Sequence, residues 1–366
     1  APLFIFMANV LNEGEVTDKL FSFCNGLLGR LKGGTAQVNV FISLIFSGMT
    51  GSAIADASGI GLMEIDQMKK EGYDAEFSCA ITAASATVGP IFPPSIPMVI
   101  YAMLSGASIG KLFMGGMVPG VLLAILLMIY VAFISHKRNY PAGVVMSKRE
   151  FLRATLQALP ALFTVVILLG GIYSGICTPT EAGAVAIVYA AALGLGYREL
   201  GPNEIRQGLK ETLMTTSSIM LIVAAASTFS WILTKEMIPQ MFTQWMISVI
   251  HNKWIFLVAV DIFLIFVGMF VEGNASMIVL VPLFAPAATA YGIDPIHFAM
   301  VFIFANAIGA FTPPMGTLMF VTCGVTKCST KDFIKEAVPF YALLFGCLLI
   351  LTFIPICSTG LVNIIY

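Results

Sequence analysis

The sequence predicts an all-α polytopic membrane protein made of two inverted repeats, each carrying one re-entrant hairpin and one broken helix. Three observations predict it. Hydrophobic residues are 58% of the 366 and charged residues 11%, where a soluble domain carries about a quarter charged residues. The chain matches itself at a fixed offset of 220: Ile45-Phe-Ser-Gly-Met49 pairs with Ile265-Phe-Val-Gly-Met269, Gly72 and Asp74 with Gly292 and Asp294, Lys111 and Phe113 with Lys331 and Phe333, and Val118-Pro119 with Val338-Pro339. Each copy also holds a Pro-Pro pair inside an apolar run, Gly89-Pro-Ile-Phe-Pro93-Pro94 in one and Gly309-Ala-Phe-Thr-Pro313-Pro314 in the other. Self-similarity at a fixed spacing marks a duplicated architecture.

The elements follow in order. Ala1–Leu11 reads as the end of a membrane helix. Glu13–Lys32 sets Leu20, Phe21, Phe23, Leu27, Leu28 and Leu31 against Asp18, Lys19, Arg30 and Lys32, the pattern of an arm lying in the interface. Ala36–Met49 is apolar but too short to span; it ends at the tip Thr50–Asp56, and a second short segment returns to Lys69-Lys70, as in a re-entrant hairpin. Ala75–Val88 and Ile96–Ser105 are two half helices separated by Gly89–Ser95. Lys111–Ser135 spans. Further spans are expected near 156–176 and 182–197, joined by the turn Thr178–Gly183, and then at Thr212–Leu233. Lys235–His251 forms a second arm, Trp254–Met269 and Met277–Ala290 a second hairpin, and Pro295–Ile308 and Leu318–Thr326 flank the second break. Lys331–Ile356 is the last span. Met117–Ile134 and Val338–Ile356 are long enough for about 30 Å of hydrocarbon.

Lysine and arginine set the orientation. With the base of the first hairpin in the cytoplasm, sixteen of the nineteen basic residues are cytoplasmic, Arg198 and Lys327 among them, and only Lys111, Lys235 and Lys253 fall outside. The two hairpins then enter from opposite sides, and Tyr366 ends outside. The offset predicts that roughly 60 to 70 residues, about two spans, precede Ala1 in the natural subunit, because the spans that open the second repeat have no counterpart in the first.

Irregular backbone at membrane depth survives only inside protein or beside water. Each Pro-Pro frees carbonyls one turn back. Freed carbonyls and helix C-termini suit Na⁺, and helix N-termini attract anions. Ser47, Gly48, Thr50 and Ser52 with Gly89, Phe92 and Ser95 therefore form one candidate cation site; Gly268, Asn274, Gly309, Thr312 and Met315 form its mirror image. Asp56 and Glu272, at the tips, are the acids expected near the midplane, either as functional groups or as caps. Substrate is expected against Ser52, Asp56, Pro93, Pro94, Ser95, Glu272, Asn274, Pro313 and Pro314. Glu64, Asp66 and Asp74 are expected near the hairpin base in structural roles, and Glu181 at an external helix N-terminus. Asp261 leaves three roles open: proton relay, partner to a neighbouring helix, or water-facing group.

Other classes fit less well. Seven scattered cysteines without a CxxC and three distant histidines offer no transition-metal site, and a net charge of −1 gives no reason for nucleic acid. An intramembrane enzyme would need a base or nucleophile close to Asp56 or Glu272 in sequence. A channel would need a continuous polar lining.

The stretches GSAIADASGIG, GYDAEFSCAITAASATVGPIFPPSIPMVIY, SIGKLFMGGMVPG, GIYSGICTPTEAGAVA and NAIGAFTPPMGTLMF resemble the large membrane subunit (M, DctM-like) of tripartite ATP-independent periplasmic (TRAP) transporters, from about residue 33 onward. The resemblance implies an elevator-type carrier of the ion-transporter superfamily kind in the bacterial inner membrane. It implies coupling to two or more Na⁺, a small membrane subunit (Q), and a periplasmic binding protein (P) that delivers an organic acid. Sialic acids and C4-dicarboxylates are the family's substrates, and SIPMVIYAMLSGASIGKLF looks most like the sialic-acid members. The proton-coupled carrier of similar fold is the alternative. The implied division is 1–32, scaffold helix end and arm; 33–110, transport domain (hairpin 33–70, broken helix 75–105); 111–252, scaffold spans and second arm; 253–330, transport domain (hairpin 253–290, broken helix 295–326); and 331–366, C-terminal span.

Overall fold

The computed structural model describes residues 2–12, 16–143, 146–196, 201–326 and 328–366. Arg198 and Lys327, counted above as cytoplasmic charges, lie outside the described residues, as does the start of the first arm at 13–15. The described residues form eighteen α-helices and no strand; one isolated bridge joins Lys32 and Ala142.

The first repeat opens with α1 (Pro2–Asn12) and the arm α2 (Val16–Leu28). Hairpin 1 is α3 (Gly34–Thr50), α4 (Ala53–Ser58) and α5 (Ile60–Lys70). Gly51 ends α3 at φ 62, a left-handed conformation that glycine adopts without a Cβ penalty. Ser52 then caps α4 by accepting the Ala55 amide. The broken helix is α6 (Ala75–Ala86) and α7 (Ile96–Ser105), with Ser95 capping α7 through the Met98 amide. α8 (Ile109–Arg138) follows, 30 residues long. The middle of the chain is α9 (Lys148–Tyr173), α10 (Pro179–Gly196), α11 (Pro202–Lys235) and the arm α12 (Ile238–Val249). Hairpin 2 is α13 (Lys253–Gly268) and α14 (Gly273–Ala290), and the second broken helix is α15 (Pro295–Phe311) and α16 (Thr317–Thr326). The last elements are α17 (Thr330–Phe353) and α18 (Ile356–Ile365).

Five described helices are long and apolar enough to cross a membrane: α8, α9, α10, α14 and α17; α12 and α13 together would make a sixth, bent by 118°. Two expectations need correction. The last span does not run on to Ile356: α17 stops at Phe353 and α18 is a separate helix, because the residue before Pro355 is driven out of the helical region. The helix expected to span from Thr212 begins ten residues earlier, at Pro202, whose ring is preset for a first helical position, and this helix, α11, is not among those apolar enough to cross.

The two repeats interlock. α13 lies on α15 and α3 on α6, so each hairpin rests on its own broken helix. α14 crosses to α7, and α16 crosses to α6 and α4. α8 packs against α18, α3, α15, α17 and α7, inside this group, while α1, α2, α9, α10 and α11 pack mostly on one another. At one end of α8, Arg138 bonds Asp74 at 3.1 Å and Glu336 at 2.7 Å. At the other, Lys111 lies 5.6 Å above the Tyr366 ring. The C-terminus is thus at the Lys111 end.

Candidate functional site

Both hairpin tips meet in one cleft of about 120 Å³. Hairpin 1 contributes Ser52, Ala53 and Ile54; hairpin 2 contributes Glu272, Gly273, Asn274 and Met277. Pro90, Ile96 and Pro97 come from the first break, and Ala310, Thr317 and Leu318 from the second. Ile303, Asn306 and Ala307 on α15 and Thr215 and Ile219 on α11 complete it. A second hollow, lined by Asn9, Thr50, Ala55, Ser218 and Ile278 and again by Ser52, Glu272 and Asn274, continues it toward α1.

The charge pattern of the cleft comes from backbone. No lining residue is Lys or Arg. Instead, first-turn residues of three helices face it: Ile96 and Pro97 of α7, Gly273 and Asn274 of α14, and Thr317 and Leu318 of α16. Each helix start carries about half a positive charge, although at α7 the Ile96 amide donates to the Gly51 carbonyl, Pro97 has no N–H and the Met98 amide donates to Ser95. The one carboxylate, Glu272, is already engaged, since Oε2 accepts the Ala275 amide at 3.0 Å and Oε1 accepts Asn274 Nδ2 at 2.9 Å. Such a pocket can hold an anion without a basic side chain.

Behind each tip, backbone meets backbone. In the first repeat, a Cβ on Gly48 would come within 3.5 Å of the Pro93 carbonyl, and one on Gly51 within 2.5 Å of the Pro94 carbonyl. One on Gly89 would come within 3.1 Å of the Ala53 amide, and the Ile96 amide donates to the Gly51 carbonyl at 3.2 Å. In the second, Gly268 and Gly309 touch, with Asn306 and Ile265 carbonyls beside them. Asn306 ties the tip down: Nδ2 donates to the Gly273 carbonyl at 2.9 Å, and Oδ1 accepts from Ser276 at 3.1 Å. The Pro93-Pro94 and Pro313-Pro314 peptides are both cis.

Thus the structure brings Ser47, Gly48, Thr50, Ser52, Gly89, Phe92 and Ser95 together around one tip, and Gly268, Asn274, Gly309 and Thr312 around the other. The hydroxyls of Ser47, Thr50 and Thr312 donate to the Ser43, Phe46 and Ile308 carbonyls, which leaves their oxygens free to accept or to coordinate. Met315 points away and is 56% exposed. Of the nine residues expected against substrate, Ser52, Glu272 and Asn274 line the cleft. Pro93, Pro94 and Ser95 are buried behind it, Pro313 and Pro314 do not line it, and Asp56 is buried on α4. Asp74 takes the structural role expected, in its ion pair with Arg138, and Glu181 accepts the Thr178 amide at the start of α10. Asp261 accepts from Thr352 on α17 at 2.9 Å, so it partners a neighbouring helix. Sequence reasoning missed Asn306 and Thr215. Asn306, an amide in the otherwise apolar run Phe302–Phe311 three residues before Gly309, was a readable signal; Thr215 had none.

Residues 1–357 match the family described as tripartite ATP-independent periplasmic transporter, DctM component. The chain belongs to that family. It is 39% identical over 355 residues to the sialic acid TRAP transporter large permease protein SiaM of Vibrio cholerae, covering 97% of this chain and 83% of that one. It is 38% identical over 363 residues to the C4-dicarboxylate TRAP transporter large permease protein DctM of Pseudomonas aeruginosa, covering 99% and 85%. The solved YdaH transporter of Alcanivorax borkumensis shares the fold, with a TM-score of 0.65 over 96% of this chain and 85% of its own at 14% identity. A DctM-family chain is a multi-pass membrane permease component and not an enzyme.

Proposed function

We propose that this chain is the large permease subunit of a Na⁺-coupled TRAP transporter that takes up an organic acid, a sialic acid or a C4-dicarboxylate, across the bacterial inner membrane. The observation that carries the reading is the cleft between the hairpin tips, where α7, α14 and α16 present their N-termini to a space without a basic side chain. That field suits a carboxylate. The SiaM and DctM relatives supply the two candidate acids. Na⁺ takes the oxygen-lined positions behind the tips, one per repeat. The hairpins and broken helices move as a transport domain against the arms and outer spans in an elevator cycle. A small membrane subunit and a periplasmic binding protein complete the assembly, and Tyr366, at the Lys111 end, faces the periplasm.

The test is uptake into liposomes that hold the chain with both partner subunits, with Na⁺ and pH gradients imposed separately. Each Na⁺ entering down 100 mV contributes about 2.3 kcal/mol, so accumulation should follow the Na⁺ gradient, and Thr312→Ala or Ser52→Ala should weaken its Na⁺ dependence at unchanged expression. Accumulation that follows only the pH gradient supports the proton-coupled reading instead. Competition between sialic acid and succinate decides the substrate.

A further inference from the structure

The hollow that continues the cleft toward α1 has no part in holding a carboxylate at the helix starts. It measures about 410 Å³, against about 120 Å³ for the cleft itself. Sites that enclose a small molecule run to about 300–1,000 Å³, so anything larger than a short-chain acid has to place its body in the hollow. The inner wall there is the hairpin tips, with Glu272 and Asn274; the outer wall is α1 and α11, with Asn9 and Ser218. The start of α16, which helps to charge the cleft, does not reach this space.

The hydrogen-bonding capacity of the hollow is one-sided. Asn9 Nδ2 donates to Thr212 Oγ1 at 2.9 Å and to the Gly208 carbonyl at 3.4 Å. The donor end of that amide is therefore held by α11, and Oδ1 is left to accept. The Ser218 hydroxyl donates to the Met214 carbonyl at 2.9 Å, which commits its proton and leaves its oxygen. On the facing wall, Asn274 Nδ2 is spent on Glu272 at 2.9 Å, and a carboxylate such as Glu272 only accepts. Among the described residues, no lysine or arginine lines the hollow. A group that settles there has to bring its own protons. Hydroxyls bring them. A carboxylate brings none: it would give up water, gain no donor from Asn9, Ser218 or Asn274, and lie near the Glu272 carboxylate.

We propose that the hollow selects the substrate, with Asn9 and Ser218 as specificity-determining residues. It receives the hydroxylated body of a monocarboxylate, a sugar acid, whose acid group lies in the cleft, and it turns away a second carboxylate. The inference rests on the reading of the cleft as the acid's site and adds to it the residues that choose among acids. Those residues stand on α1 and α11, apart from the sodium positions and from the helix starts, so selection and charge recognition are carried by different walls.

Binding to the chain with its small membrane subunit in lipid nanodiscs tests this, with the periplasmic binding protein left out because it would impose a selection of its own. In Na⁺, gluconate and sialic acid should each raise the thermal midpoint at a concentration roughly 10-fold or more below that needed for succinate, the worth of one or two hydrogen bonds. Ser218→Ala should weaken gluconate about 3- to 10-fold, the loss of one such bond, and shift succinate less; Asn9→Ala should do the same. Ser218→Lys supplies the missing positive charge and should reverse the order, so that succinate binds more tightly than gluconate. Wild type that binds succinate as tightly as gluconate overturns the inference and leaves the cleft reading standing. So does a folded Ser218→Ala that weakens both acids equally. Stabilisation by none of the three acids overturns the cleft reading and this inference together.

Discussion

The two hairpins occupy matching places in the repeats, yet hairpin 1 buries two acids, Asp56 and Glu64, and hairpin 2 buries one, Asp261. Hairpin 1 buries Asn39, Ser43, Asp56 and Glu64, and α6 buries Thr82 and Ser85 against it. Hairpin 2 sets Phe263, which is 41% exposed, and Phe284 where hairpin 1 has Ser43 and Glu64, and buries Asp261 against Thr352 and Ser276 against Asn306 of α15. The tips themselves agree: Ser52 and Glu272, 220 residues apart, both cap the returning helix by accepting from an alanine amide. The caps at the tips are therefore alike, while the backbone contacts behind them and the side chains one or two turns deeper differ. Backbone geometry at the tips answers to the cleft; the interior has only to be filled and satisfied.

Substitutions at matching sites can break or sharpen that contrast. The largest expected effect is at the tip-to-break contacts. Gly309→Ala would drive a Cβ to 2.6 Å from Gly268 Cα and 2.7 Å from the Ile265 carbonyl, whereas Gly89→Ala meets nothing nearer than 3.1 Å. Overpacking costs about 1–3 kcal/mol, so Gly309→Ala should lower the thermal midpoint clearly more than Gly89→Ala; equal losses would mean that the two tips seat alike. Next comes Asn306→Ala, which strips the Gly273 carbonyl of its donor inside hairpin 2. A loss of about 1–3 kcal/mol is expected, read as a lower midpoint and weaker substrate protection of the cleft. Smaller still are the caps: Ser52→Ala should cost about 1 kcal/mol, with Glu272→Ala costing more because its bonds are charge-assisted. The most even effect belongs to Gly72→Ala and Gly292→Ala, at φ 93 and 70 with nothing within 4 Å. Each should cost about 1–2 kcal/mol of left-handed strain alone, and the same amount in both repeats.

What could be read from the sequence follows the same division. Glycine and proline announce their backbone consequences locally, so Gly89–Ser95, Gly309–Pro314 and both tips stood out, and a fixed offset aligned them. Asn39, Ser43, Thr82 and Ser85 looked like ordinary small helix residues, because what joins them is the packing of α3 and α5 on α6. Asp56 seemed a tip residue by counting; the turn of α4 carries it inward, away from the cleft. Thr215 and Ile219 reach the cleft only because α11 passes it, and nothing within that helix marks the contact. The stop at Phe353 was hidden by an apolar run that continues unbroken through Ile356, with Pro355 as its sole sign.

The cleft draws its positive field from three helix starts instead of from lysine or arginine. A peptide dipole has no proton to lose, so this field, unlike that of a lysine, does not fade as pH rises. It does fade with water: the attraction scales inversely with the local dielectric constant. On the proposed reading, an acid bound there would be gripped while the tips exclude solvent and loosened once solvent enters, with no charged side chain to swing away.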